Sequence, residues 1–216
     1  MNGQIFWILG AGRFGTLATE RLLRQKGDRQ LVLVDRDRSR LAGVVDARVA
    51  KVEGDAIDFL DKNLHVMPDW LVPAVPLHVA FQWLCRRLSR RGSVSQLPVP
   101  AILDSRLPNP HRGSDGTLYT SFATFICPDD CEEPDGRCTF TGKPRKADLY
   151  RVLSEMAVPG YLTVVIRSQQ LAPGVGGYQP AALQELLRQA EQSERQIIVA
   201  TACRCHGVVN ALRHRK

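Results

Sequence analysis

The chain alternates between two hydrophobic periods from its first residues. Ile5-Phe6-Trp7-Ile8-Leu9 is a continuous apolar run that reads as a buried strand over about 4–9. From about Arg13 to Lys26 the spacing turns helical, with Phe14, Leu17, Ala18 and Leu22 on one face and Gly27 placed to end it. A strand over 30–34, a short helix near 37–43, a strand over 48–52 and a helix over 56–62 continue the alternation. Trp70-Leu71-Val72 predicts a fourth strand, ended by Pro73 and Pro76. Leu77, Phe81, Leu84 and Leu88 then mark a helix over 77–91 that stops at Gly92.

The second half is less regular. A strand over 99–104, a loop over 105–117 rich in Pro, Gly, Asn and Ser, and a strand from Tyr119 to Ile126 lead into residues 127–146, which carry little periodicity. A helix near 147–157, a strand over 161–167, a glycine-rich loop over 172–177, a helix opening at Pro180 and a strand over 196–201 complete the pattern. Strands alternating with helices predict an α/β protein with a doubly wound, mostly parallel Rossmann-like sheet and an inserted cysteine-bearing loop region. The expected parts are a nucleotide-binding half (1–104), the inserted loop (105–146) and a C-terminal α/β part (147–216) packed on the same sheet.

The first predicted turn carries chemistry. Gly10-Ala11-Gly12-Arg13-Phe14-Gly15 follows a strand and opens a helix, and Asp35 ends the next apolar run. Strand, glycines, helix and acid in that order form a dinucleotide fingerprint. Gly10 allows the tight turn, Gly12 lets backbone approach a pyrophosphate, and Gly15 lets helix pack on strand. The helix N-terminus offers free N–H groups to phosphate, and Asp35 is placed to accept from a ribose. A carboxylate there repels a 2′-phosphate, so NAD is preferred over NADP, although Arg36 and Arg38 follow closely.

Charge and cysteine content refine the picture. The formal net charge is +7, but the cations fall in separate groups: Arg86, Arg87, Arg90 and Arg91 at a helix end, Lys143, Arg145 and Lys146 in a loop, and Arg213, Arg215 and Lys216 in a tail. Aromatic residues are 6% of the chain and do not interleave with these groups, which argues against a nucleic-acid surface. No run is long enough to span a membrane, and the start lacks a basic leader, so the expected location is the cytoplasm, where thiols stay reduced. Of six cysteines, Cys85 sits on the buried side of a helix and reads as a small core residue.

The other cysteines fall in two groups, Cys127-Pro128-Asp129-Asp130-Cys131 with Cys138, and Cys203-Arg204-Cys205-His206. If the strands before Cys127 and Cys203 run parallel, both groups emerge on the edge where the glycine loop lies. Grouped thiolates select zinc or an iron–sulfur cluster. The ligands expected are Cys127, Cys131, Cys138 and one of Cys203 or Cys205, with zinc and a [4Fe–4S] cluster both open. A metal-free redox dithiol and unrelated free thiols are the alternatives. Asp129, Asp130, Glu132, Glu133 and Asp135 crowd the same loop, and a bound cation would relieve their repulsion.

Residues 5–56 resemble the RCK/KTN (TrkA-N-like) nucleotide-binding domains that regulate potassium channels and transporters. The resemblance rests on Gly10-Ala11-Gly12-Arg13-Phe14-Gly15, Val34-Asp35-Arg36-Asp37 and Gly54-Asp55-Ala56. It implies that Gly10, Gly12, Arg13 and Phe14 lie along a pyrophosphate, Asp35 at the ribose, and Asp55 and Ala56 near adenine. It fades after residue 56.

Further candidates are His78, at the start of a helix after the fourth strand; His111; His206; and the Pro173–Tyr178 loop as a second anion cradle. The functional expectation is an NAD(H)-binding oxidoreductase with a cysteine-held metal or cluster. The alternatives are a non-catalytic nucleotide-sensing module, working as a homo-oligomer, and an electron-carrier subunit with a redox partner protein.

Overall fold

Two sheets, each covered on both faces, share one layer of helices. The computed structural model describes residues 3–216. The first sheet comprises β1 (Gln4–Leu9), β2 (Arg29–Asp35), β3 (Val49–Glu53) and β4 (Trp70–Pro73). Its order is β3-β2-β1-β4 and every pair is parallel. Between these strands run α1 (Arg13–Arg24), α2 (Arg38–Ala42) and α3 (Ala56–Asn63), and α4 (Val79–Leu88) follows β4. The two-residue period of β1 decides which layer goes where. Phe6 and Ile8 point to the core shared with Ala18 and Leu22 of α1 and Leu41 of α2. Trp7 and Leu9 point to the opposite core, with Leu60 of α3 and Phe81 and Leu84 of α4.

The second sheet is mixed. It contains β5 (Ser93–Leu97), β6 (His111–Arg112), β7 (Leu118–Ser121), β8 (Tyr161–Arg167), β11 (Gln196–Ala202) and β12 (His206–Arg215). Its path is β6-β7-β12-β11-β8, with β5 also paired to β12. The ten residues of β12 are long enough for one edge to take β7 on its first half and β5 on its second, both antiparallel. Two short helices, α5 (Ile102–Arg106) and α6 (Leu149–Ser154), cover one face, where Leu103 and Leu149 meet Ile198 and Ala200. The alternate residues Ile197 and Val199 face α4 and α7 (Pro180–Gln192) in the core shared with the first sheet. Neither sheet closes into a barrel.

Several expectations change here. The C-terminal part does not extend the first sheet. β12 offers apolar residues on both faces and partners on both edges, so it nucleates a sheet of its own. The junction with β4 is one antiparallel bridge, Leu71 to Tyr178. The structural change falls after α4 and not at residue 104, because β5 and α5 already belong to the second sheet and its core. Val99–Asp104 is no strand: prolines at 98 and 100 remove two ladder donors and α5 starts at Ile102. The Pro173–Tyr178 segment is part of a hairpin, β9 (Gln169–Ala172) and β10 (Val175–Gly177).

Candidate functional site

The glycine loop joins β1 to α1, and its three glycines stand in different surroundings. Gly10 has φ +113°, and a Cβ there would stand 2.6 Å from the carbonyl oxygen of Ala74. At Gly15 a Cβ would stand 1.8 Å from the carbonyl oxygen of Gly10, so α1 touches the loop through bare backbone. Gly12 is different. Its backbone is extended, and the nearest heavy atom to a Cβ would be an Arg40 nitrogen 3.8 Å away. Nothing within the chain demands a glycine at this position.

Beside Gly12 lies an open crevice lined by Ala11, Arg13, Thr16, Ser39 and Arg40. Asp35 does not line it but lies 3.9 Å from Arg40, and it is already engaged: its carboxylate accepts from Ala11 N at 2.6 Å and Asp37 N at 2.8 Å. Arg36 pairs with Asp55 at 2.6 Å. Asp55 also caps α3 by accepting from Asp58 N, and Ala56, the first residue of α3, is buried. These ties hold Asp35, Arg36 and Asp55 together at one end of the sheet.

The cysteine groups meet. β7 and β11 are both antiparallel to β12, so they run parallel to each other, and the segments leaving them emerge on one side. Cys127, Cys131, Cys138, Cys203, Cys205 and His206 line one cavity of about 900 Å³, together with Arg13 and Phe14 of the glycine loop. His206 stands between the groups, with Nε2 3.3 Å from Cys127 Sγ and Nδ1 3.8 Å from Cys203 Sγ. Cys203 Sγ accepts from Cys205 N at 3.4 Å and His206 N at 3.3 Å, a turn that turns two N–H donors on a sulfur.

Burial pushes the Cys203 thiol up to about 12, with Glu133 adding to the effect. Cys127 is raised by burial and then by the neighbouring thiols Cys131, Cys205 and Cys138. Burial also raises Cys205, against the pull of the adjacent Arg145 guanidinium. Hydrogen bonding from Thr141 lowers Cys138, and burial lowers His206. Among the described residues, no group of three or more His, Cys, Asp or Glu is arranged to hold a metal ion. The sulfurs line a shared wall, and the segment carrying Cys127, Cys131 and Cys138 would have to draw in around an ion. The donor set itself, thiols and one imidazole, is that of a soft-metal site.

Sequence reasoning missed the residues that dock this loop. Asp129, between Cys127 and Cys131, pairs with Arg13. Arg21 of α1 donates to the carbonyl oxygens of Asp129 (2.5 Å) and Pro173 (2.6 Å). Gly174 N donates to the Cys131 carbonyl at 2.8 Å, and Gln170 donates to the same oxygen at 2.7 Å. The acidic run is only partly solvated: Glu133 accepts from Arg204 N, and Asp135 pairs with Arg204. Its signal was present as five acids facing dispersed arginines, but spacing alone does not assign pairs.

The Pro173–Tyr178 segment is no second anion cradle, because its turn is pressed against the cysteine loop and its amide at Gly174 is spent there. His78 does not line the cavity. It is buried, with Nδ1 2.9 Å from Asn210 Oδ1 and Nε2 2.9 Å from Thr201 Oγ1. Since Asn210 presents its oxygen, Nδ1 carries the proton and Nε2 accepts from the hydroxyl. Asn210 in turn donates to Thr117. His78 therefore joins α4 to the second sheet. His111 is exposed on β6. Cys85 packs against the core, and burial raises it to about 12.

The arginine run of α4 also has a local explanation. The Asp61 side chain, 1% exposed, is held by Arg86 at 3.1 Å, Arg87 at 3.4 Å, and Arg90. Among the described residues, no helix is long and apolar enough to cross a membrane.

Residues 80–215 match a family described as "Uncharacterized protein, C-terminal domain". The chain is similar to an "Uncharacterized protein" of Archaeoglobus fulgidus, 32% identical over 224 residues that cover 95% of this chain and 98% of that protein. No solved structure matches the chain.

Proposed function

The chain belongs to the family described as "Uncharacterized protein, C-terminal domain", and for it we propose a redox protein that binds NAD(H) at the glycine loop of a Rossmann-like half and a zinc ion or [4Fe–4S] cluster at the cysteine cavity. One observation carries this reading: Arg13 and Phe14 of the glycine loop line the same cavity as all five grouped cysteines.

Gly12 supports the nucleotide half, because the room above it is explained by a ligand and by nothing in the chain. Gly10, Gly12 and the first turn of α1 would hold the pyrophosphate through N–H groups, with Arg13 against its charge. Asp35 would accept from the ribose on the lone pairs left beside Ala11 N, and Asp55 and Ala56 would border the adenine. Arg36, spent on Asp55, is less free to receive a 2′-phosphate, which favours NAD over NADP. Cys127, Cys131, Cys138 and one of Cys203 or Cys205 would hold the metal, and His206 would serve as an exchangeable ligand or proton carrier.

A bound nicotinamide supplies hydride chemistry, an iron–sulfur cluster single-electron transfer, and zinc polarisation of a ligand. The chain's own part is to hold the two groups near each other and to keep the deeper thiols from water. The proposed location is a reducing compartment such as the cytoplasm, where grouped thiols would stay reduced. A second reading, a nucleotide-sensing module with structural or redox-sensing cysteines, draws on the Arg13–Asp129 pair, which ties the nucleotide loop to the sulfur loop without requiring turnover.

Elemental analysis and absorption spectra of anaerobically purified protein test the metal half. Zinc near one per chain, or iron with a broad band at about 400 nm, is the expected result, and folded metal-free protein refutes it. Calorimetric titration with NADH and NADPH tests the nucleotide half, and oxidation of bound NADH by an artificial acceptor separates enzyme from sensor.

A further inference from the structure

The cavity is larger than a metal site needs, and its outer wall has a character of its own. Phe14, Phe122 and Ile126 are 57%, 37% and 96% exposed, and all three line it together with Phe125. Phe125 stacks on Phe140 with ring centroids 4.6 Å apart and planes 30° from parallel. Exposed large apolar side chains elsewhere, such as Val45, Val66 and Ile102, do not line this cavity. Apolar residues gathered at one opening mark a place where something binds, and a volume of about 900 Å³ is that of a small-molecule pocket.

The charges at the opening say which kind. Arg13, Lys143, Arg145 and Lys146 line the cavity against only Asp129 and Glu133. Several neighbouring carboxylates are taken: Asp129 by Arg13, Asp135 by Arg204, and Asp148 by Arg145, Arg151 and Arg204; Asp130 and Glu132 are exposed and do not line the cavity. Glu133 is spent on the backbone of Arg204. That leaves Lys143 and Lys146, both exposed, without a carboxylate partner among the described residues. Two unpaired ammonium groups therefore share a cavity with aromatic rings and thiols.

We propose that this cavity is the substrate site, and that it takes a small organic anion with a flat apolar body: the carboxylate or other acidic group on Lys143 and Lys146, the body against Phe122 and Phe125, the latter backed by the stacked Phe140 ring. The inference rests on the redox reading for what happens to the molecule, but not for its binding. A flat body gains from ring faces through offset stacking. An anionic group gives orientation, since Lys143 and Lys146 are exposed while the cysteines are half-buried.

The test is calorimetric titration of the whole protein with three probes of one shape: 2-naphthoate, neutral 2-naphthamide and cationic 2-naphthylmethylamine. Naphthoate is expected to bind saturably and about tenfold more tightly than the amide, with the amine weakest. The Lys143→Gln/Lys146→Gln pair should remove most of the preference for naphthoate and leave amide binding unchanged, because both lysines are exposed and unpaired. Phe125→Ser should weaken naphthoate and amide alike, because its ring lines the cavity. Equal binding of the three probes, a naphthoate preference that survives loss of both lysines, or no saturable binding of any probe overturns the proposal. None of the probes needs the crevice at Gly12 or a metal. Failure of NADH binding or of metal analysis therefore leaves this result readable on its own, and the reverse holds too.

Discussion

Replacing Gly12 by alanine should separate folding from nucleotide binding, because the space that a methyl group would fill belongs to no part of the chain. Its nearest neighbour would be a flexible Arg40 nitrogen at 3.8 Å, and the backbone there is extended, open to any residue. Two small terms oppose each other. Alanine restricts the unfolded chain and stabilises by about 0.4–1 kcal/mol, but it is a poorer helix N-cap than glycine, at a cost of about 0.5–1 kcal/mol. The net change should stay within about 1 kcal/mol, or roughly 2–4 °C in Tm for a chain of this size.

Gly15→Ala is the control with the opposite outcome. Its Cβ would lie 1.8 Å from the Gly10 carbonyl oxygen, so α1 must leave the loop, at about 3 kcal/mol or more. Thermal denaturation followed by circular dichroism reads the folding side, and calorimetry with NADH reads the binding side. Gly12→Ala should melt like the parent yet lose at least about tenfold in affinity, about 1.4 kcal/mol. Parental affinity in a stable Gly12→Ala protein would refute the reading that this opening receives a pyrophosphate. Asp35→Ala is a poorer probe, because it also removes the acceptor of Ala11 N.

Other outcomes follow from the same geometry. Asp129→Asn frees Arg13 and removes a carboxylate from the path of a phosphate. The lost pair is exposed, 72% on the arginine side, so NADH should bind up to about fivefold more tightly and no more, as calorimetry would read; weaker binding contradicts the competition. Stability should fall as pH drops from 6.5 towards 4, because burial lowers the His78 pKa from 6.5 to about 4. The unfolded chain takes up a proton in that window that the native state refuses, for about 3 kcal/mol in all. Urea titrations near pH 7 and about pH 4 would show it, and a His78→Gln protein should lack that part of the slope. Cys85, raised to about 12 and packed in the core, should resist iodoacetamide in the folded protein while Cys138 reacts, as peptide mapping would reveal; early labelling of Cys85 would count against the described core.

The first half was legible because β1, β2 and β4 carry short apolar runs and α1, α3 and α4 each bury one face. β1 matches its expected limits, and β2, β3 and α3 differ from theirs by only a residue or so. The convergence of the cysteines was legible too, since it needed only that the strands before them run parallel, as β7 and β11 do. What failed was β12. Arg213, Arg215 and Lys216 read as a tail, yet Val208–Leu212 is a largely apolar stretch that forms the middle of the sheet. Its pairing with β5 and β7 depends on residues about a hundred positions away, and no local pattern records them. The separate second sheet and the buried role of His78, whose partner Asn210 lies on β12, follow from that one omission; the hairpin in place of an open loop is a separate miss, since β9 and β10 pair only with each other.

At Gly174 the chain turns with φ +64°, and a Cβ would fall 1.6 Å from the Asp129 carbonyl oxygen. Two stretches far apart in sequence thus rest on each other as naked main chain, with no side-chain cushion to absorb a change in either. An insertion or deletion near Asp129 would have to be matched by a reshaped hairpin, so the two should drift as a unit among relatives. Anyone transplanting the sulfur-bearing segment into another scaffold would need to carry the 169–177 ribbon along with it.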